Sequence, residues 1–139
     1  MKKTTLLNSH LSALVASVGH TDDIVLADAG LPIPAGPQRI DLAVSPGLPG
    51  LLPVFNAVLT ELQLEGVILA QEIISASPEL HQQLLARIAD AGIAQGKDIT
   101  VSYISHEQFK QDNARAKAVV RTGECTPYAN LILRCGVPF

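Results

Sequence analysis

The sequence predicts a single-domain α/β/α sandwich, three layers on a mainly parallel or mixed central sheet, and three observations carry that expectation. Short apolar runs alternate with amphipathic segments along most of the chain, the order expected when helices connect strands of one sheet. The apolar residues are chiefly Val, Ile, Leu and Ala, with only three Phe, two Tyr and no Trp, a composition suited to strands buried on both faces. The length of 139 residues suits one core, and no repeat, low-complexity segment or linker divides it.

Residues 9–18 open the series. Leu11, Leu14, Val15 and Val18 recur at helical spacing, Asn8 or Ser9 can cap the start, and Gly19 can stop the helix. The run 24–27 is too short for a helix and reads as a buried strand, which leaves Asp28 at a strand's carboxyl end. Pro32, Pro34 and Pro37 remove donors and bias their predecessors toward extended geometry, so 30–37 should form a firm, shaped loop. Residues 39–44 alternate moderately, as a second strand does, before Ser45-Pro46-Gly47 and Pro49-Gly50 punctuate the chain. A helix over 51–62 carries apolar residues on more than one face, and 66–70 reads as a central strand with Glu72 close behind. Ser77-Pro78-Glu79 supplies a cap, a first-turn proline and an acidic first turn for a helix running to Ala91, with Gly92 as its stop. Residues 98–104 alternate like a strand with one wetter face, and Ser105 caps a short helix through Phe109. Strands over 117–121 and 130–133 complete the chain.

Composition narrows the function. With 47% apolar and 17% charged residues there is little charge for a free monomer's surface, which points to an oligomer. A net charge of -3 and scattered basic residues argue against a nucleic-acid partner. Cys125 and Cys135 are too few for a disulfide scaffold and have no metal-ligand spacing with a histidine, which fits a reducing cytoplasm. Lys2-Lys3 before Leu6-Leu7 imitates a secretory signal, but Asn8, Ser9 and His10 break the apolar stretch and no small-x-small cleavage site follows. No run approaches the roughly 18 apolar residues of a membrane span, so no membrane insertion is expected. A dinucleotide fingerprint, a phosphate-cradling loop and a nucleophile elbow are all missing, and nothing indicates a metal or an organic cofactor.

Three polar clusters adjoin strands: His20 to Asp28, Ser105-His106, and Tyr128-Ala129-Asn130. In open parallel sheets ligands collect at the carboxyl ends of strands, so these clusters can share a crevice. His20, just past a helix end, is either a general acid that titrates near neutrality or a surface histidine with a capping role. Asp28 is either a ligand carboxylate or an Asx-turn residue organising Ala29-Gly30. His106 can meet a substrate hydroxyl or occupy an exposed first turn. Tyr128 and Asn130 bracket a small alanine with a hydroxyl and an amide, which suits sugar hydroxyls; the alternative is a tyrosine packed at a strand start with its hydroxyl on backbone. His10 and His81 fall within helices and read as solvated.

The segments Gly19-His20-Thr21-Asp22, Asp28-Ala29-Gly30-Leu31-Pro32-Ile33-Pro34, Ser105-His106-Glu107-Gln108-Phe109-Lys110, Gly123-Glu124 and Pro127-Tyr128-Ala129-Asn130 together resemble the D-ribose pyranase family of ribose mutarotases. The likeness spans essentially the whole chain. It implies a cytoplasmic, cofactor-free isomerase of ribose catabolism that interconverts the β-pyranose and β-furanose forms of D-ribose. It further implies a homodecamer of two pentameric rings, with the site near a subunit interface. By the same resemblance His20 matches the proton donor, and Asp28, His106, Tyr128, Ala129 and Asn130 match sugar-binding positions. Asp28 is then expected to orient or polarise His20. Two alternatives stand beside this reading: an L-fucose mutarotase of the same superfamily, against which the Gly30-Leu31-Pro32-Ile33-Pro34 loop speaks, and a non-catalytic sugar-binding module, which would not need a titrating His20.

Overall fold

Alternation along the strands sets the layers. In the computed structural model, which describes residues 1–139, Ile24 and Leu26 point to one face of the sheet and Val25 and Ala27 to the other, as the two-residue period of a strand requires. The strands are β1 (Asp23–Ala27), β2 (Gln38–Asp41), β3 (Leu64–Ala70), β4 (Thr100–Ile104), β5 (Ala118–Arg121) and β6 (Leu131–Cys135). They form one six-stranded sheet in the order β2-β5-β1-β6-β3-β4. The helices are α1 (Ser9–Ser17), α2 (Leu51–Leu59), α3 (Ile73–Ala76), α4 (Pro78–Gln95) and α5 (His106–Asn113).

The two helical layers are unequal. Leu11 and Leu14 of α1, Phe55 of α2 and Leu84 of α4 join Ile24, Leu26, Val67 and Leu131 in the main core, while only α5, through Phe109, and the loop around Leu31 cover Val25, Val119 and Ile132. Phe55 is wholly buried at the centre of the larger core. Phe55→Ala is expected to lower unfolding free energy by about 3–5 kcal/mol, read as a fall in denaturant midpoint at constant slope.

The sheet is mixed because of one strand. β1, β2 and β5 pair in parallel, as do β3 and β4, whereas β6 runs antiparallel to both β1 and β3. The 122–130 connection holds no helix and is shorter than the roughly one dozen residues a parallel crossover needs, so the chain must return in the opposite sense.

Several boundaries differ from the sequence expectation for identifiable reasons. The long helix continues through the buried Gly92 to Gln95 and stops at Gly96, which takes the left-handed φ of 72° that glycine tolerates. Ser77 does not cap that helix with its side chain; its hydroxyl donates to Pro127 O at 2.7 Å and so ties α4 to the 122–130 loop. α1 ends at Ser17, before Gly19. His81, expected to be solvated, is buried and bonds through Nε2 with the Tyr103 hydroxyl at 2.7 Å. The N-terminal segment packs Leu6 into the core, and Asn8 Oδ1 accepts from Leu11 N at 3.0 Å as the cap of α1. No helix is long and apolar enough to cross a membrane.

Candidate active site

Parallel strands deliver their carboxyl ends to one edge of the sheet. Asp28 follows β1, Glu72 follows β3, His106 follows β4 and Thr122 follows β5, while Asn130 arrives at the same edge because antiparallel β6 begins there. This is where an open α/β sheet collects ligands.

Asp28 and Asn130 grip each other. The Asp28 N–H donates to Asn130 Oδ1 at 2.8 Å, and Asn130 Nδ2 donates back to Asp28 Oδ2 at 2.9 Å. Gly30 N donates to Asp28 Oδ1 at 2.9 Å, so the Asx-turn and the strand-end carboxylate are both real features of one residue. Each carboxylate oxygen keeps a lone pair beyond these bonds. Asn130 is wholly buried, which makes its orientation a property of the core rather than of solvent.

His106 is held by its backbone and leaves a ring nitrogen free. Its N–H donates to both Glu72 carboxylate oxygens at 3.0 Å, and that bond, the largest of several, draws the Glu72 carboxyl below its ordinary range. The ring lies edge-on to Tyr128 with centroids 5.1 Å apart and stacks on Phe109 at 6.5 Å. His106 Nδ1 is buried and has no protein partner. A buried polar atom without a partner is an exception to the usual pairing of such groups. The expectation of an exposed first-turn histidine therefore does not hold, because Tyr128 and Phe109 flank the ring.

Tyr128 adopts φ 60°, a left-handed conformation uncommon for a bulky side chain. Such strain concentrates at functional sites. Its hydroxyl makes no backbone hydrogen bond, contrary to the packing alternative. Ala129 is wholly buried behind it. Asp28, Gly30, Leu31, Pro32, His106, Pro127 and Tyr128 line a cavity of about 330 Å³, within the range of small-ligand pockets. The proline loop is a wall of this cavity, fixed from behind by the buried Asn113, whose Nδ2 donates to Pro32 O at 2.8 Å.

His20 lies elsewhere. It precedes β1 whereas Asp28 follows it, and five residues of extended chain at ~3.3 Å each place the two roughly 16 Å apart at opposite edges of the sheet. The expectation that Asp28 orients His20 fails within one chain, because β1 lies between them and the Asp28 carboxylate is turned to Asn130 and Gly30. The partner of His20 is Glu65, with Nε2 to Oε2 at 2.7 Å, and the ring is 55% exposed.

The family model described as the RbsD / FucU transport protein family matches residues 1–138. The chain belongs to that family. It is 55% identical to the D-ribose pyranase of Photobacterium profundum and 56% identical to that of Aeromonas salmonicida, in each case over the full length of both chains. Among solved structures, Bacillus subtilis RbsD complexed with D-ribose superposes with a TM-score of 0.89 at 46% identity, covering all of both chains. The fucose mutarotase of Streptococcus pneumoniae, solved with L-fucose, superposes at 0.80 with 25% identity over 99% of each chain.

In this member of the family Glu124 fastens the loop that carries Tyr128. Its Oε2 accepts from Leu51 N at 3.0 Å, capping α2 where Gly50 has no side chain to do so, and its Oε1 accepts from the Thr126 hydroxyl at 2.8 Å and from the N–H groups of Cys125 and Thr126. Burial alone would push the carboxyl up, but these bonds together outweigh it and hold Glu124 below its ordinary 4.5. A folded-state value below the unfolded one gives stability that is present above pH 4.5 and is lost as pH falls through the folded value. Glu124→Gln is therefore expected to melt lower at neutral pH and to lose less stability on acidification than the parent, measured by thermal melts between neutral pH and the acid transition. Neighbouring Gly123 is required by space, since a Cβ there would collide with the Leu48 backbone.

Sequence reasoning missed Glu65, Glu72 and Glu124 as site-supporting groups. Glu72 was findable, because a carboxylate two residues past an apolar strand is a strand-end group; Glu65 sits at a strand start and its role depends on a pairing partner far along the chain.

Proposed function

We propose that this protein is a sugar isomerase that interconverts the β-pyranose and β-furanose forms of D-ribose. The observation that carries the reading is the convergence of Asp28, His106 and Tyr128 on one small cavity with Asn130 behind it, in a chain 46% identical to RbsD solved with D-ribose. A cavity walled by one carboxylate, one imidazole and one phenol offers acceptors and donors for hydroxyls, not for a phosphate or an apolar ligand.

The reaction needs two proton transfers in each half. In ring opening the anomeric hydroxyl loses its proton, the C1–O1 bond becomes a carbonyl, and the C1–O5 bond breaks with its electron pair going to O5, which takes up a proton. In closing, O4 attacks C1, loses its proton, and the carbonyl oxygen regains one. Asp28, oriented by Asn130 and Gly30, takes the proton from O1 and later returns it; His20 gives a proton to O5 and later takes one from O4. Both groups end in their starting protonation states, and no redox change occurs. His106, Tyr128 and the Ala129-Asn130 segment hold the sugar.

His20 must then come from another copy of the chain. Because it stands at the opposite sheet edge from Asp28, the contact pairs two different surfaces, and a head-to-tail interface of that kind closes into a ring when its rotation allows. A homodecamer of two pentameric rings is the assembly the reading favours, with D-ribose as partner in a cytoplasmic ribose-catabolic setting. The exposed Val44, Leu48 and Ile74 are apolar side chains available for such contacts.

The test is saturation-transfer NMR of equilibrated sugar with purified protein, run in parallel on D-ribose and L-fucose. Faster exchange between ribose pyranose and furanose signals, with L-fucose anomers exchanging at the background rate, is the expected outcome. Acceleration of L-fucose alone would transfer the chain to the mutarotase alternative, and acceleration of neither would leave a binding module.

A further inference from the structure

The edge of the sheet that carries His20 is built to aim it. In the β3·β6 pairing Leu64 faces Cys135 and Gly66 faces Arg134, so Glu65 is an extra residue on β3, a β-bulge. Bulges re-aim side chains and recur beside active sites. The bulge sends the Glu65 carboxylate to His20 Nε2 at 2.7 Å. Opposite it stands Gly136, where a Cβ would come within 3.2 Å of Glu65 N, so the glycine leaves room for the bulged backbone. From the other side Thr21 fixes the histidine: it adopts φ 67°, an outlier for a β-branched residue, and its N–H donates to Cys135 O at 2.9 Å. The bulge on β3 and the strained turn before β1 are therefore both pinned to the last residues of β6.

From these contacts we infer that Glu65 is the positioning residue for His20, and that by accepting a hydrogen bond from Nε2–H it leaves Nδ1 as the nitrogen that exchanges protons with the sugar. The inference rests on the reading of His20 as the proton donor. A carboxylate on one ring nitrogen fixes both the tautomer and the ring's orientation, which decides what the other nitrogen can do. In the neutral ring Nδ1 then carries a lone pair that accepts the O4 proton; in the cationic ring it carries the proton delivered to O5. The electron pair of the breaking C1–O5 bond goes to the oxygen, as before. Thr21 acts with Glu65 by restricting the backbone from which the ring projects.

The experiment uses full-length Glu65→Ala, Glu65→Gln and His20→Ala proteins, with assembly mass and circular dichroism compared with the parent. Glu65 is partly exposed at 40%, so its truncation leaves the core intact. Ring-nitrogen 15N shifts of His20 and the kinetics of ribose exchange are then measured. Glu65→Ala is expected to move neutral His20 from the Nε2–H tautomer to a mixture and to lower kcat about tenfold to a hundredfold with KM within about threefold. Glu65→Gln, whose amide oxygen can still accept from Nε2, should retain more of both. Parental kcat and parental 15N shifts in Glu65→Ala, alongside an inactive His20→Ala, would overturn the assignment of Glu65. Parental exchange by His20→Ala would instead overturn the proton-donor reading, and the 15N shifts would still report whether Glu65 sets the tautomer.

Discussion

His20→Ala is expected to abolish most of the ribose exchange while leaving the fold and melting temperature nearly unchanged. The side chain is 55% exposed in a single chain and belongs to no core, so its removal touches little packing. In the proposed mechanism it removes the group that protonates the ring oxygen, and a positioned acid-base group contributes roughly 10²–10⁴-fold to such a step. Binding of ribose should fall far less than turnover, because the proposed hydroxyl contacts come from Asp28, His106 and Tyr128, which line the cavity. A titration of the variant with D-ribose, followed by NMR line shape, separates the two: near-parental affinity with lost exchange is the expected pattern.

The second large effect lies at the opposite sheet edge. Asn130→Asp is expected to reduce both stability and activity, because it replaces the amide that donates to Asp28 Oδ2 with a second carboxylate at the same 2.9 Å. Two carboxylates at hydrogen-bond distance cannot both stay ionised without cost, and the new one is wholly buried. Either Asp28 or the new aspartate must bind a proton near neutrality, or the two must separate and break the Asp28 N–H bond to Asn130 Oδ1 as well. A loss of about 2–4 kcal/mol of stability follows from disrupting a buried hydrogen-bonded pair of this kind. Activity should partly return on acidification if one carboxyl is neutralised, a pattern that Asn130→Ala, which removes the amide without adding charge, should not show. Thermal melts and exchange rates of both variants across pH test this.

The fold was readable because its signals are local. The apolar runs at 24–27 and 66–70, the Pro78 helix start and the Ser105 cap each report on a few adjacent residues, and the structure places strands and helices there. Strand direction was less so: that β6 opposes its neighbours follows from a short connection rather than from any property of Leu131 to Cys135. The pocket half of the site was legible for the same reason as the fold, since residues just past parallel strands share an edge. The surroundings of His20 were not. Proximity in sequence placed His20 beside Asp28, but an intervening strand carries them apart, and the bulge that brings Glu65 to His20 depends on pairing between residues far apart along the chain. Gly92 misled in the other direction, because a buried glycine inside a helix looks, in sequence, like a helix stop.

Co-assembly of two inactive variants addresses the central claim, that an edge bearing His20 in one copy completes the Asp28 pocket of another. His20→Ala and Asp28→Ala chains, carrying different tags and expressed together, are purified through both tags so that every particle contains both. Each variant alone should leave ribose exchange near background. Mixed particles should recover activity toward about a quarter of the parental value, the share of pockets in random mixing that pair an intact Asp28 with a neighbour's intact His20. Mixed particles of verified composition that stay as inactive as the separate variants would contradict a site shared between copies.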